Sequence, residues 1–393
     1  MLSFRSTLLS LVLVAVLALS TCGSTGQQAR RVVGFDDFVA FWSAGRLVLA
    51  GQNPYSPELF SEMQSRTGWD GRLAPMWYPP WMFSLLLPFS VPDYASARVL
   101  WLLFNLFLLT LSGLLLWKIY GGPTHLWYLG SMLAVLYVPS LFALRAGQIT
   151  LLCLFGLVGF LYLVERKNWL AGGLLAVAAV KPHLSYLLWA SLLWWTVERR
   201  KMSIILGFCG FVGLALAVGV AFNPELLRQF VGASTILRLP LFDYKSPTIG
   251  SCLRLLFGQD RIWLRFFPPA IALVGLLLYC WRKRSRWSWK EEAGLLVAFS
   301  LPTTLYAWSY DFVMLLPLVI QLAVGALRVS RGCQLALGVA FVVLNGVILC
   351  MNLGFVDDFA YFWFVPSWLL VYAMFPRACR VERVPAVGSG TSC

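Results

Sequence analysis

The sequence predicts an all-α, polytopic membrane protein with a bundle of about twelve transmembrane helices. Of its 393 residues, 60% are hydrophobic and 12% are charged, and the mean hydropathy is +0.76. Soluble domains are nearer half apolar and a quarter charged. The apolar residues also gather into runs long enough to cross a bilayer. These observations leave no room for a separate soluble catalytic domain of ordinary size.

The spans follow one another along the chain. The segment 169–197 is predicted to be two shorter spans that turn at Lys181 and Pro182. The run 78–92 is too short and too rich in proline for a clean span, so it is predicted to be a re-entrant or interfacial pair. The remaining runs predict single spans near residues 95–117, 126–143, 149–164, 202–222, 263–281, 291–307, 308–328, 333–353 and 360–376.

Residues 1–21 complete the set as a first helix or signal anchor. Arg5 precedes an apolar run from Leu8 to Leu19, which also fits a cleaved signal peptide or a lipoprotein signal ending at Cys22. Thr21 stands where a lipoprotein signal usually has a small residue, so the uncleaved helix is favoured.

The net charge of +14 is interpreted as topology, not as nucleic-acid binding, because Lys and Arg cluster between apolar runs. With these clusters in the cytoplasm, both termini are cytoplasmic. Residues 22–94 then form an outer (periplasmic) loop with interfacial helices, followed by the bundle over 95–376 and a basic cytoplasmic tail over 377–393. A second polar segment, 223–261, lies on the same outer face. The prediction is a multi-pass protein of the cell membrane.

Several kinds of chemistry have no motif in the sequence. The nine cysteines include no C-x-x-C pair, and most lie in apolar segments, so neither a zinc site nor a disulfide framework is predicted. There is no GxGxxG, P-loop, H-E-x-x-H or D-x-D motif. No cofactor or metal is therefore expected, and soluble nucleotide-sugar chemistry is disfavoured.

Asp36 and Asp37 open a stretch with helical spacing of apolar residues, which predicts a helix lying on the membrane. A carboxylate there, above an apolar surface, is suited to act as a general base toward an acceptor hydroxyl. Capping of the helix is the competing interpretation for either residue.

Polar residues also stand at the outer ends of predicted spans, where ionisable groups are costly and tend to pair or bind a ligand. Arg145 and Lys181 are candidates to hold the phosphate of a lipid-linked substrate, with snorkelling to headgroups as the alternative for Arg145. The other candidates for substrate contact, some of which are equally consistent with structural hydrogen bonds or an aromatic belt, are Gln148, His183, Asp311, Tyr55, Tyr78 and Tyr310.

At these residues the sequence resembles the GT-C glycosyltransferases, specifically the family 87 type that uses polyprenyl-phosphate mannose. The resemblance consists of short motifs in order over residues 35 to about 320: DFVAFWSAGRLVLAGQNPY from Asp37, WYPPWMFSLLLPFS from Trp77, RAGQIT from Arg145, VKPHLSYLL from Val180 and YDFVMLLPL from Tyr310.

The resemblance implies a GT-C type bundle and transfer of a sugar, usually mannose, from a polyprenyl-phosphate donor to a glycolipid or glycan acceptor on the outer side of the membrane. The catalytic Asp of the first outer loop would be Asp37, with Asp36 as the second candidate. The donor phosphate would meet Lys181 and also Arg145 or His183.

Two other classes of protein stay open at the level of sequence. A multi-spanning transporter or flippase of a lipid-linked or small polar substrate is the main alternative. It is disfavoured because the acids lie at the outer edge and no internal repeat is evident. A catalytically inactive lipid-binding subunit is the other.

Overall fold

The structure is a computed structural model that describes residues 36–69, 76–236 and 245–375. The predictions for residues 1–21 and for the basic tail 377–393 lie outside the described residues. Within the described ranges every regular element is a helix, as the composition predicts.

The α-helices are α1 (Asp36–Leu49), α2 (Pro57–Ser65), α3 (Phe83–Ser90), α4 (Tyr94–Ile119), α5 (Tyr128–Leu136), α6 (Val138–Ala146), α7 (Thr150–Leu163), α8 (Asn168–Ala178), α9 (Tyr186–Glu198), α10 (Ser203–Phe222), α11 (Leu226–Ile236), α12 (Ile249–Phe257), α13 (Phe267–Lys283), α14 (Trp289–Thr303), α15 (Leu316–Ala326), α16 (Arg331–Leu353) and α17 (Phe364–Met374). Short 3-10 segments join them at Pro80–Met82, Thr124–Leu126, Pro182–Ser185, Ile262–Arg265, Arg284–Arg286, Ser309–Leu315 and Asp358–Trp363.

The protein is a multi-pass membrane protein with fewer full-length spans in the described residues than the sequence predicts. By length and composition, five stretches can cross a bilayer: Tyr94–Ile119, Ser203–Phe222, Ile262–Arg286, Ser309–Ala326 and Arg331–Leu353. A sixth results if α5 and α6, which are bent by 61° at their break, count as one span. Others are short: α7 has 14 residues, or about 21 Å of helix against about 30 Å of hydrocarbon. The count of about twelve stays a prediction.

The predicted turn in segment 169–197 is present. Helix α8 ends at Ala178 and α9 begins at Tyr186, with the 3-10 segment Pro182–Ser185 between them. Lys181 has a non-helical backbone (φ −124°, ψ 67°), because the ring of Pro182 disfavours helical geometry at the residue before it. The run 78–92 likewise contains only one short α-helix, α3.

The chain forms two compact units, and the first comprises residues 1–106, 141–149 and 213–236. Its core surrounds Trp101, whose ring lies 5.3 Å from that of Phe38 and 5.0 Å from that of Phe89, centroid to centroid. Almost all of α1 is buried here, and Arg46 in its last turn is exposed. Helix α3 packs on α1, and Trp42 Nε1 donates to Pro92 O at 3.0 Å. The position of α1 on the membrane surface stays a prediction.

The second unit comprises residues 107–140, 150–212 and 237–393. Helices α7 and α8 pack along each other, and α14 contacts α9, α13, α15 and α17. Two polar contacts join α14 to α9. The Leu187 N–H donates to Ser300 Oγ at 3.2 Å, and the hydroxyl oxygens of Tyr186 and Thr303 are hydrogen-bonded at 2.7 Å. Buried hydroxyls thus fix how these apolar helices meet, since hydrophobic burial alone does not select one register within a bilayer.

Candidate functional site

Asp37 stands in the first turn of α1, where its carboxylate meets the side chain of Gln148. The Asp37 carboxylate accepts a short hydrogen bond from the Gln148 amide, and Gln148 is only 1% exposed. We call Asp37, Gln148 and Arg145, which stands three positions before Gln148, the Asp37 centre; all three belong to the first unit. The sequence predicted each of them as a site residue, and the structure joins Asp37 to Gln148 over 111 positions of chain.

The turn that ends α6 explains how Gln148 reaches Asp37. Gly147 has φ +64°, and its N–H donates to Leu144 O while Gln148 N–H donates to Ala143 O (3.1 and 2.9 Å). This is the Schellman arrangement, which needs a left-handed residue after the helix and therefore favours glycine. Trp101 Nε1 donates to Gly147 O at 2.8 Å and secures the turn.

A second polar group surrounds Lys181 in the second unit. Lys181 Nζ lies 2.8 Å from Asp311 Oδ1 and 2.9 Å from Thr150 Oγ1, and Thr150 in turn donates to Asp311 Oδ1 at 2.7 Å. Lys181 is 5% exposed and Asp311 1%. We call Lys181, Asp311, Thr150, Tyr310 and His183 the Lys181 centre. Tyr310 presents its ring to the ammonium, 5.0 Å from centroid to Nζ.

The backbone around Asp311 is arranged to keep its carboxylate in place. Asp311 Oδ2 accepts the Trp308 N–H at 3.1 Å, and Asp311 N–H donates to Trp308 O at 2.9 Å. A carboxylate in the first turn of a helix accepts hydrogen bonds from backbone N–H groups that have no partner within the helix. Asp311 therefore joins a cation, a hydroxyl and a backbone amide, which offsets the cost of burying its charge.

His183 lies beside this centre at the turn between α8 and α9. Its ring stacks against Tyr306 with a centroid distance of 4.2 Å. Within the described part of the chain its Nε2 is buried without a hydrogen-bond partner. Burial lowers the pKa of His183 to about 4, so the imidazole is neutral at pH 7. A neutral ring can offer or accept one hydrogen bond, but it carries no charge toward a phosphate.

Tyr55 and Tyr78 are joined in the first unit by a hydrogen bond. Tyr55 Oη donates to Tyr78 O at 3.1 Å, and the Tyr78 ring meets Phe41 edge to face at 5.4 Å. Tyr55 is buried. The side chain of Asp36 lies outside the described residues, although the backbone of Asp36 begins α1.

Thr150 and Asp358 are two polar residues of these centres and their surroundings that the sequence did not predict as site residues. Thr150 belongs to the RAGQIT motif, two positions after Gln148. Asp358 accepts from Ser309 N–H at 3.2 Å through each of its two oxygens, and from the Ser309 hydroxyl. The signal for Asp358 was a repeat: an Asp-Asp-Phe triplet occurs at residue 36 and again at residue 357.

No metal-binding group of three or more His, Cys, Asp or Glu side chains occurs in the described residues. These features define the class: a helical, multi-pass membrane protein with a half-buried and a buried carboxylate centre at helix ends.

The chain belongs to glycosyltransferase family 87, whose family model matches residues 77–308. This is more than half of the 393 residues and confirms the resemblance that the motifs indicated. No curated protein and no solved structure matches the chain. The matched range contains Gln148, Lys181 and His183, whereas Asp37 and Asp311 lie outside it.

Proposed function

We propose that the protein transfers a sugar, mannose in the first instance, from a polyprenyl-phosphate donor to an acceptor hydroxyl on the outer side of the membrane. The acceptor class is a glycolipid or glycan, the transfer inverts the anomeric centre, and Asp37 is the general base. Family membership supports the glycosyl transfer itself. A lipid-linked donor agrees with the membrane-embedded helices and with the lack of a nucleotide-binding motif in the sequence.

The observation that carries this proposal is the contact between Asp37 and Gln148. A general base has to be ionised and held in one orientation. The first turn of α1 favours the ionised carboxylate, because unpaired N–H groups give a helix start a partial positive charge. The buried Gln148 amide fixes the orientation of that carboxylate.

The chemical step follows from these roles. Asp37 takes the proton of the acceptor hydroxyl as its oxygen attacks the anomeric carbon of the sugar. The bond from that carbon to the phosphate oxygen breaks, and the electron pair leaves on the polyprenyl phosphate. The products are the glycosylated acceptor, the polyprenyl phosphate and a protonated Asp37, which later returns its proton to water.

For the leaving phosphate, we assign the principal contact to Arg145. It is partly exposed and stands three positions before Gln148, in the same unit as Asp37. A guanidinium binds phosphate oxygens through two parallel hydrogen bonds and stays charged at any relevant pH. Lys181 is less suited than the sequence suggested, because Asp311 already neutralises its charge.

A cavity in the second unit supports a lipid-linked donor. It has a volume of about 620 Å³ and apolar walls that include Leu253, Ile271, Leu276 and Phe299. Ligand sites are commonly of this size. An apolar space of this kind favours hydrocarbon over water, so it is suited to a lipid chain.

The test is sugar transfer in membranes from radiolabelled polyprenyl-phosphate mannose, scored in the lipid, glycan and protein fractions. Asp37→Asn keeps the size of the side chain and removes its basicity, so we expect transfer to fall by about 10²- to 10⁴-fold. Asp93→Asn is the matched control: Asp93 is an exposed aspartate of the first unit that caps α4 through Ser96 N–H at 3.0 Å.

Normal turnover by a folded Asp37→Asn protein would contradict the assignment of the base. If Asp36→Asn alone abolished transfer, the roles of the two neighbours would be exchanged. A native protein that labels no fraction would contradict the donor class.

A further inference from the structure

Three basic side chains of the second unit line one recess, away from the residues assigned above. Lys118 comes from the last turn of α4, Arg166 follows α7, and Lys290 lies in the first turn of α14. Together with Tyr162 and Glu165 they line a recess of about 50 Å³. In the sequence these cations indicate only the orientation of the chain in the membrane.

Tyr162 organises two of the three cations. Lys118 Nζ lies 3.3 Å from the Tyr162 hydroxyl and 5.5 Å from its ring centroid, while the Arg166 guanidinium carbon lies 4.7 Å from that centroid. Attraction to the ring face holds both side chains near the recess. Lys118 and Arg166 are therefore held close to each other, whereas side chains that reach separately to the lipid headgroups would share no such contact.

The charges of the recess do not balance. Glu165 is its one carboxylate among the lining residues, and it lies 3.6 Å from Lys290 in a pair whose side chains are 60% and 37% exposed. Three positive charges and one negative charge leave a net charge of +2. Exposed ion pairs contribute little, and like charges near one aromatic ring repel. An anion bound in the recess would relieve that repulsion.

The position of the recess indicates which anion. Its apolar wall consists of Ile119 and Leu161, both buried, at the ends of α4 and α7. Helix α4 is one of the stretches that can cross a bilayer. A basic rim with a tyrosine at the end of a span lies at headgroup depth, and basic pockets between membrane helices bind anionic lipid headgroups.

We propose that this recess binds the phosphate of an anionic phospholipid headgroup. Arg166 supplies paired donors for two phosphate oxygens, and the ammonium groups of Lys118 and Lys290 supply point charges. The proposal is independent of the sugar-transfer reaction and does not rest on it. A free phosphate ion would use the same chemistry, so the experiment has to separate the two sources.

The test is native mass spectrometry of the purified full-length chain, titrated with phosphatidylglycerol or with phosphatidylcholine. The variant Lys118→Gln/Arg166→Gln/Lys290→Gln removes three charges from the recess. The control Arg282→Gln/Arg284→Gln/Arg286→Gln removes three exposed charges elsewhere in the unit. Each basic residue near a lipid surface contributes about a fivefold change in affinity.

We expect phosphatidylglycerol to bind the native chain more tightly than phosphatidylcholine, and the recess variant to lose roughly 100-fold in affinity for it. The control, whose three charges also lie at the end of a stretch that can cross a bilayer, should lose less affinity than the recess variant, and an equal loss in both variants would overturn the proposal. Equal binding by native chain and recess variant would overturn the proposal. Should the triple variant fail to assemble, Lys118→Gln alone should lose about fivefold, and an unchanged affinity in that variant would equally overturn it.

A second experiment tests inorganic phosphate as the ligand. The unfolding temperature of the protein in detergent is measured with phosphate and, as the control, with chloride at the same ionic strength. The lipid assignment predicts no protection specific to phosphate. Protection of the native chain that disappears in the recess variant would identify free phosphate as the ligand and overturn the lipid assignment.

Discussion

Lys181 and Asp311 are separated by 130 positions in the sequence, and each contributes one charge to a buried ion pair. Thr150 closes the triangle by accepting from the ammonium and donating to the carboxylate. A buried ion pair contributes to stability only while both partners are present, because removing one partner leaves the other charge uncompensated. The pair therefore makes a structural contribution whether or not substrate reaches it.

This arrangement gives a prediction for Lys181→Met. We expect the variant to lose about 3–5 kcal/mol of stability, because Asp311 is left buried and unpaired. The double variant Lys181→Met/Asp311→Asn should recover part of that loss, since the amide is neutral and still accepts from Trp308 N–H. Thermal unfolding in detergent measures both.

The control for that comparison is Arg228→Met, which breaks an exposed pair with Glu225 and should change stability by less than about 1 kcal/mol. A Lys181→Met protein of native stability with selectively weakened donor binding would instead support the phosphate contact that the sequence suggested.

Asp358 has the opposite character, since its carboxylate is hydrogen-bonded but faces no cation in the contacts described for it. Burial raises the pKa of Asp358 from 3.8 to about 6, although hydrogen bonds from Ser309 oppose the rise. A raised pKa means that the folded protein holds the proton more tightly than the unfolded chain. Its stabilising contribution is complete below about pH 4 and is lost as the pH rises through about 6.

We therefore expect Asp358→Asn to gain stability relative to the native chain between pH 4 and pH 7, by up to about 3 kcal/mol. The measurement is the unfolding temperature of both proteins across that range. Asp260→Asn, at an exposed position, should follow the native curve. A constant difference between Asp358→Asn and the native chain at every pH would show that Asp358 does not titrate in this window.

At the scale of elements, small residues determine how closely two helices of the second unit approach. A methyl group added at Gly207 of α10 would lie 1.8 Å from Trp169 O of α8, and one added at Gly172 would lie 1.9 Å from Ile204 O. No side chain fits at either position. Membrane helices associate through such close backbone contact, because lipid offers no hydrophobic gain for their packing.

Helix α10 provides a matched pair of substitutions for this contact. Gly207→Ala should force α8 and α10 apart and destabilise the protein by about 1–3 kcal/mol. Gly210→Ala, one turn further along, meets no atom within 4 Å and should be neutral or slightly stabilising, since alanine favours helix. Unfolding temperature and the monodisperse fraction after purification measure the difference. Equal effects of the two substitutions would contradict the close crossing.

At the scale of the whole molecule, the untested assignment is the orientation in the membrane. The distribution of Lys and Arg predicts that α2 faces outward and that the turn between α9 and α10 faces the cytoplasm. Both segments have exposed residues, Glu58 and Lys201. Their positions can therefore be tested with a reagent that does not cross the membrane.

We expect Glu58→Cys to react with an impermeant thiol reagent in intact cells, and Lys201→Cys to react only after permeabilisation. Labelling is measured above that of the native chain, whose cysteines supply the background. The reverse pattern would place the Asp37 centre on the cytoplasmic side and contradict transfer at the outer face.

Much of the candidate site could be predicted from the sequence. Asp37 was predicted because it opens a stretch with helical spacing of apolar residues, and Gln148 because polar residues at the ends of membrane spans are costly. The motifs indicated the family. Thr150 and Asp358 did not stand out, since a lone hydroxyl or a second acid pair has no distinctive spacing. The repeated Asp-Asp-Phe triplet marks Asp358 in the sequence, but the contacts of Thr150 and Asp358 join residues that lie far apart in the chain.

Composition and periodicity by themselves determined that the protein is helical and embedded in a membrane, because every backbone polar group in a bilayer has to be satisfied locally. They also located the break at Pro182, a local steric effect. The tertiary structure alone decided which charges pair. Asp311 neutralises Lys181, and Gln148 orients Asp37, because a buried charge selects its partner by distance in space, which the sequence does not contain.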